Sequence, residues 1–147
     1  MAKIGKRSKV AREAFVGKEL ISVEDAVKLI KSAGHQAWAI GEIGKGSGIT
    51  AIYALLQQAL TQKISQIDLI YFSRDEAFHA ELLQLAEQYP QLQYHYFNTV
   101  AQQQHLTLQL LERTVADFGQ RLSYACGAAG MMQSINQIYQ QLGIAQQ

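Results

Sequence analysis

The chain of 147 residues carries a net charge of +1, is 48% hydrophobic and contains one cysteine. This size and composition predict one compact domain, and the lone cysteine excludes an internal disulfide and a structural zinc site. A membrane span needs about 18 consecutive apolar residues, and the sequence has no such run. We therefore expect a protein of the reducing cytoplasm that makes no membrane contact.

The first 31 residues differ from the rest of the chain in charge. They hold eight Lys or Arg against four acids, whereas the remainder holds five against eight. Residues 1–17 also have few apolar side chains to bury, which predicts a loosely held basic arm. Such an arm gains affinity for nucleic-acid phosphates by releasing counterions. Weak RNA contact is therefore one hypothesis for residues 1–17, and a solvated tail is the alternative.

A helix is predicted directly after the arm. Ser22 followed by Asp25 resembles a capping box, and the apolar face that follows runs to a glycine, so we predict a helix over about 23–33. Together the arm and this helix form a basic helical extension over residues 1–34. Residues 35–147 are then expected to form the main domain.

In the main domain, strands and helices alternate. Apolar runs bounded by turn residues predict four strands, at about 37–43, 67–72, 92–98 and 122–126. Amphipathic segments predict helices at about 50–62, 75–88, 106–118 and 130–142. This alternation predicts the α/β class, with three layers: about four parallel strands in the order 3-2-1-4, and helices on both faces of the sheet.

A glycine turn follows the first predicted strand. The segment Gly46-Ser47-Gly48-Ile49-Thr50-Ala51 fits the pattern G-x-G-x-x-G/A where a strand passes into a helix. At such a turn, exposed backbone N–H groups and the helix dipole attract a pyrophosphate. The alternative is a tight strand-to-helix turn that needs glycine only for its backbone angles.

The second predicted strand leads into Ser73 and Arg74. Folds of this kind meet the adenosine ribose here, and an arginine at this place suits the 2′-phosphate of NADPH. In the alternative, Ser73 caps the next helix and Arg74 pairs at the surface with Asp75 or Glu76.

A thiol and a second glycine-rich turn follow the last predicted strand, in the segment Cys126-Gly127-Ala128-Ala129-Gly130-Met131-Met132. Ligands of open α/β sheets bind at this carboxyl edge. The alternative is a small buried cysteine with two core methionines. The four histidines show no metal-ligand spacing, so no metal site is predicted.

In order and spacing, these three segments resemble the nicotinamide-binding lobe of the ferredoxin:NAD(P)H reductase-like flavoproteins. The resemblance covers about two thirds of the chain, from residue 46 onward. It implies that the glycine turn holds the pyrophosphate, that the second segment holds the adenosine ribose, and that Cys126 lies beside the nicotinamide as a catalytic residue. The implied cofactor is NAD(P)H, and the implied contacts are Gly46, Ser47, Gly48, Ile49, Thr50, Ser73, Arg74, Cys126, Gly127, Ala128 and Met131.

The sequence departs from this family in two respects. Ala51 and Ala128 stand where the family usually has proline. Each loop is expected to be less pre-organised, since a fitting proline contributes about 0.4–1 kcal/mol. The sequence before residue 46 also shows no flavin motif, so we expect flavin only from a separate domain. Without that acceptor, dinucleotide binding is predicted and turnover is not.

Two further resemblances concern the N-terminal third. Residues 1–31 are similar to the N-terminus of bacterial ribosomal protein L1, and residues 33–43 faintly resemble the C-terminal strand of the purine-pathway cyclo-ligases. Three unrelated resemblances predict a composite chain. The alternative functions are therefore a chimeric or designed structural α/β protein with no ligand, and a basic fragment that contacts RNA.

Overall fold

The computed structural model describes residues 2–4, 22–42, 49–74, 77–100, 105–127 and 129–143. Its five strands are β1 (Ala2–Ile4), β2 (Gln36–Glu42), β3 (Gln66–Ser73), β4 (Leu92–Asn98) and β5 (Leu122–Cys126). Its five α-helices are α1 (Val23–Ser32), α2 (Ile49–Thr61), α3 (His79–Gln88), α4 (Leu108–Thr114) and α5 (Ala129–Gln141), and a 3-10 turn spans Phe118–Gln120. No helix in these ranges is both long and apolar enough to cross a membrane.

The strands form a single sheet in the order β1-β5-β2-β3-β4. β2 lies at its centre and pairs in parallel with both β3 and β5, while β4 pairs in parallel with β3. The four strands predicted from the sequence therefore lie in the predicted order 3-2-1-4, and the α/β class is confirmed. From β2 the chain passes to β3 on one side of β2, and it later returns to β5 on the opposite side of β2. The connections therefore diverge at β2.

A fifth strand, which the sequence does not predict, lies at one edge of this sheet. Residues Ala2–Ile4 pair antiparallel with β5, with Lys3 opposite Tyr124. These residues fall in the predicted basic arm, so at least this part of the arm belongs to the sheet. Three residues are too few to show an apolar alternation, and an edge strand is held by backbone hydrogen bonds that almost any sequence supplies.

The helix boundaries follow from local capping. The Ser22 hydroxyl accepts a hydrogen bond from the N–H of Asp25 at 3.1 Å, as the capping box predicts. α1 ends where Gly34 takes a φ of +87°, a left-handed angle that glycine adopts readily. Thr107 caps α4 by accepting from the N–H of Leu110 at 3.1 Å.

Two predicted helices are shorter in the structure. α3 begins at His79, because Phe78 has a φ of +62° and interrupts the helix predicted from residue 75. The helix predicted over 106–118 stops at Thr114, and a turn separates it from the 3-10 segment. Because α3 starts this late, its N-cap is Phe78 and not Ser73. The prediction that Ser73 caps the next helix is therefore wrong.

Alternate strand residues supply the two layers of the core. One face of the sheet, which we call the first face, packs Ala39, Leu69 and Tyr124 against α1, α2 and α3. The other, the second face, packs Trp38, Ile70 and Phe72 against α4 and α5. The three-layer prediction is confirmed.

Trp38 occupies the middle of the second-face core. Its side chain is fully buried, its indole Nε1–H donates to the carbonyl of Phe118 at 3.2 Å, and the two rings meet edge to face. A buried indole N–H left unpaired is costly. This bond therefore fixes the 3-10 turn against the central strand.

Candidate functional site: the carboxyl edge of the sheet

The carboxyl ends of the parallel strands meet at one edge, which we call the carboxyl edge. Gly41 of β2 lies opposite Tyr71 of β3 on one side and Cys126 of β5 on the other. The predicted site residues at the ends of β3 and β5 are therefore brought to the same edge, on either side of β2. Ligands of open α/β sheets bind at this edge, where the connections diverge.

The glycine turn lies partly outside the described residues. Gly46, Ser47 and Gly48 are not described, whereas Ile49 and Thr50 form the start of α2. α2 therefore begins within seven residues of the end of β2, at the carboxyl edge. This is the place in the fold where a helix N-terminus presents its backbone N–H groups to an anion.

Electrostatically, the two helices that begin at this edge suit an anion. No acidic residue occurs in the described first turns of α2 and α5. Each helix has 13 residues, so its dipole places partial positive charge at the carboxyl edge that no carboxylate in the first turn neutralises.

Ser73 and Arg74 have different environments at the end of β3. Ser73 is buried, and its hydroxyl lies 2.9 Å from the hydroxyl of Tyr96, so that side chain ties β3 to β4. Arg74 is exposed, and its backbone carbonyl accepts from the side-chain amide of Asn98 at 3.4 Å. Of the two, the guanidinium of Arg74 is the group that a ligand in solvent can reach.

The cysteine turn follows β5. Cys126 is the last residue of β5, and Gly127 is an exposed bend, whereas Ala128 lies outside the described residues. Met131 is buried near the start of α5, in the core of the second face. Met131 is therefore a core methionine, as the alternative predicts. Part of its surface also lines the cavity described next.

A cavity of about 320 Å³ opens at the carboxyl edge on the second face. Strand ends contribute Phe72 and Thr99, and the start of α5 contributes Gly130, Met131 and Ser134. His105 and Leu106, which precede α4, are the other described residues in its lining. Gly130 and Met131 belong to the segment predicted to lie at this edge, whereas the other lining residues, His105 among them, are not predicted site residues. No spacing in the sequence connects them.

The charged groups with displaced pKa values lie away from this site, near the amino ends of the strands. Burial alone raises the pKa of Asp68, but hydrogen bonds and charges from His95 and Arg121 outweigh it, so the pKa is lowered. Burial likewise opposes the charge of Arg121, and hydrogen bonds from its guanidinium to Asp117 and Asp68 raise its pKa overall. These shifts belong to a structural ion-pair network.

This network lies at the opposite edge of the sheet, where the parallel strands begin, and we call it the amino edge. The Arg121 guanidinium donates to the Asp68 carboxylate and makes two contacts with Asp117, at 3.0 and 2.9 Å. It also donates to the carbonyl of Ala37 at 3.4 Å. Nε2 of His95 lies 3.1 Å from the Asp68 carboxylate. Within the described ranges, no cluster of His, Cys, Asp or Glu is suited to a metal ion.

Comparison with known proteins identifies the family of the chain. The family described as oxidoreductase NAD-binding domain matches residues 43–137. A curated relative, the ferredoxin reductase component of 3-ketosteroid-9-alpha-monooxygenase from Rhodococcus rhodochrous, is 33% identical over 106 residues, which cover 69% of this chain and 30% of the relative. The chain thus spans less than a third of that relative's length. No solved structure matches the chain significantly.

The family match begins at residue 43. The resemblances of residues 1–31 and 33–43 to other proteins therefore lie almost entirely outside it and stay predictions. The match does include all three segments at the carboxyl edge, and it extends over more than half of the chain. The chain belongs to the oxidoreductase NAD-binding domain family.

Proposed function

We propose that the chain binds NAD(P)H along the carboxyl edge and serves as the dinucleotide-binding part of an electron-transfer reductase. The observation that carries this proposal is the family match over residues 43–137, combined with a fold whose connections diverge at β2. The pyrophosphate is assigned to the start of α2, after Gly46-Ser47-Gly48. The unneutralised helix N-terminus supports this assignment.

The two ends of the dinucleotide are assigned to opposite sides of β2. Arg74 at the end of β3 is assigned to the adenosine ribose, and its exposure supports a contact with a 2′-phosphate. Cys126 at the end of β5 is assigned to the nicotinamide, with Gly127 and Ala128 beside it. Because Ser73 bonds to Tyr96, we propose that it positions the turn carrying Arg74 rather than contacting phosphate through its hydroxyl.

The hydride acceptor in this proposal is a flavin held by another domain. The relative named above is a ferredoxin reductase component, and a reductase of that type needs a flavin to pass electrons singly to a carrier. A flavin so held would accept the hydride of NAD(P)H, and the residues of this chain at the carboxyl edge would hold the dinucleotide for that transfer. The Cys126 side chain contributes by packing against the nicotinamide and holding it at the flavin, and it is neither oxidised nor reduced.

The first experiment is a titration of the purified chain with NADPH and NADH, followed by nicotinamide fluorescence and by the melting temperature. A ligand that binds only the native state stabilises it, by about 2.7 kcal/mol at a concentration of 100 Kd. We expect both signals to change with at least one dinucleotide. No change with either dinucleotide at millimolar concentration, in protein shown to be folded, would refute the proposal.

A second experiment tests Cys126. With a separately supplied flavin domain, Cys126→Ser is expected to slow flavin reduction while leaving the Kd of the dinucleotide nearly unchanged. An equal loss in both quantities would mean that the thiol supports the fold of the turn and does not position the nicotinamide.

A further inference from the structure

The connection from β3 to α3 carries Arg74, to which the 2′-phosphate is assigned above. The described residues of this connection are Arg74, Ala77 and Phe78. A charged side chain binds its partner well only when its own backbone is held in place, because a small displacement of the anchor costs much of the contact. The groups that hold this connection therefore bear on which dinucleotide the chain prefers.

Tyr71 holds the far end of the connection. Its side chain is fully buried in the core of the first face, where its ring packs against that of Tyr96 with centroids 5.8 Å apart. Its hydroxyl donates a hydrogen bond of 2.7 Å to the backbone carbonyl of Ala77. A phenylalanine at this position would fill the same core volume. What the hydroxyl adds is a tie from β3 to the end of the connection that follows it.

Asn98 holds the near end. Its side-chain amide donates to the backbone carbonyl of Arg74 at 3.4 Å, and its side-chain oxygen accepts from the N–H of Val100 at 3.0 Å. The backbone of Arg74 is thereby tied to the end of β4. The connection is thus held at both ends by side chains of neighbouring parallel strands.

The backbone beside Ala77 is strained. Phe78 has φ +62° and ψ −2°, a left-handed conformation, and makes no side-chain capping bond to α3. A bulky residue rarely adopts this conformation, which persists only where the surroundings impose it. The carbonyl of the preceding residue is held by Tyr71, and the Phe78 ring packs on Tyr53 with centroids 6.0 Å apart. Strain of this kind is common where a backbone must hold a functional group in place.

We propose that Tyr71 is a positioning residue that determines cofactor specificity. By holding Ala77, it fixes the connection that presents the Arg74 guanidinium to the 2′-phosphate, and so it sets the preference for NADPH over NADH. It acts through Arg74 and does not itself contact the ligand. The inference rests on the proposed function, since it concerns the phosphate contact assigned there.

Tyr71→Phe removes the hydroxyl and keeps the ring. The matched control is Tyr124→Phe, because Tyr124 is also fully buried in the first-face core and its hydroxyl donates to a backbone carbonyl, that of Ala26, at 3.0 Å. Each variant loses one bond of the same kind, so we expect both melting temperatures to fall by about 2–8 °C. Only Tyr71→Phe should raise the Kd of NADPH, by about threefold or more, and it should leave the Kd of NADH nearly unchanged.

A double-mutant cycle with Arg74→Ala separates positioning from a merely structural role. If Tyr71 acts through the guanidinium, Tyr71→Phe causes no further loss of NADPH affinity once Arg74 is alanine, whereas a general loss of structure weakens binding equally in both backgrounds. The affinities are measured by isothermal titration of the full chain with NADPH and with NADH. Asn98→Ala removes the other tie and should reduce the preference for NADPH in the same way, so it decides the matter if Tyr71→Phe fails to fold.

Several results would overturn the inference while the proposed function stands. They are equal binding of both dinucleotides by the unaltered protein, equal weakening of both by Tyr71→Phe, a loss of preference in Tyr124→Phe as large as in Tyr71→Phe, and a Tyr71→Phe effect that persists without Arg74. If neither NADPH nor NADH binds the unaltered protein, both the proposed function and the inference fail.

Discussion

The two edges of the sheet are built differently. At the amino edge, the buried Asp68 and Arg121 are joined by a hydrogen-bonded ion pair, and the side chains of both are less than 10% exposed. At the carboxyl edge, Arg74 and Gly127 are exposed and a cavity lies beside α5. One edge has its charges paired internally, and the other presents charge and space to solvent.

This difference indicates a division of roles within one fold. Breaking a buried ion pair strongly destabilises a protein, whereas groups at an open edge contribute little to folding and remain available to a ligand. Substitutions at the amino edge should therefore change stability without changing dinucleotide affinity. Those at the carboxyl edge should have the reverse effect, and the predictions below test this comparison.

The largest effect is expected from Asp68→Ala. The substitution leaves the Arg121 guanidinium buried without its main partner, which costs about 3–5 kcal/mol in the free energy of unfolding. Urea denaturation measures this loss. Asp117→Ala is the comparison variant, because Asp117 contacts the same guanidinium but its side chain is 44% exposed, and we expect a cost of about 1 kcal/mol. Similar losses of unfolding free energy for the two variants would show that the burial of Asp68 does not determine its contribution to stability.

The second effect concerns Arg74→Ala at the opposite edge. Loss of a charge-assisted contact with the 2′-phosphate should weaken NADPH by about tenfold or more, at about 1.5–3 kcal/mol. NADH lacks this phosphate and should bind nearly as before. The control is Arg113→Ala, which removes an exposed arginine from the last turn of α4. Equal weakening of both dinucleotides by Arg74→Ala would show that this side chain does not contact the 2′-phosphate.

A smaller effect is expected from removal of residues 1–4. The deletion exposes the edge of β5, and the lost backbone hydrogen bonds together contribute about 1–2 kcal/mol to stability. The melting temperature should fall and aggregation should increase, because an unpaired strand edge is a template for association. The double substitution Lys6→Ala and Arg7→Ala changes the charge of the arm without removing β1. If it lowers the melting temperature as much as the deletion does, charge and not strand pairing is responsible.

The smallest effect is the acid dependence of stability. The folded-state pKa of Asp68 lies below its ordinary value of 3.8, so its contribution is complete above that value and is lost as the pH falls through the folded pKa. The difference in unfolding free energy between the unaltered protein and Asp68→Asn should be constant from about pH 5 to 7 and should shrink below about pH 4. A difference that stays constant down to pH 2 would show that folding does not lower the pKa of Asp68.

Part of this architecture follows directly from the sequence. The strands Leu92–Asn98 and Leu122–Cys126 have the predicted bounds, because their apolar runs are long enough to show a pattern and are bounded by turn residues. The positions of Arg74 and Cys126 at one edge also follow, since parallel strands end on the same side.

Other parts do not follow, because they depend on tertiary contacts. Asp68 and Arg121 are 53 residues apart, and no spacing links them until β5 lies beside β2. The cavity likewise depends on how α5 lies over the ends of β3 and β4, so His105 carries no signal in the sequence. β1 is too short to be recognised from alternation.

Trp38 gives the protein its own optical reporter. It is the single tryptophan of the chain, and it is fully buried in β2, the strand that leads toward the glycine turn. All tryptophan emission therefore comes from one site. Its wavelength reports the exposure of the second-face core to water on unfolding. A reduced nicotinamide absorbs light in the range where a buried indole emits, so a dinucleotide at the carboxyl edge would quench this emission by energy transfer. Folding and binding can thus be followed in one cuvette without a label.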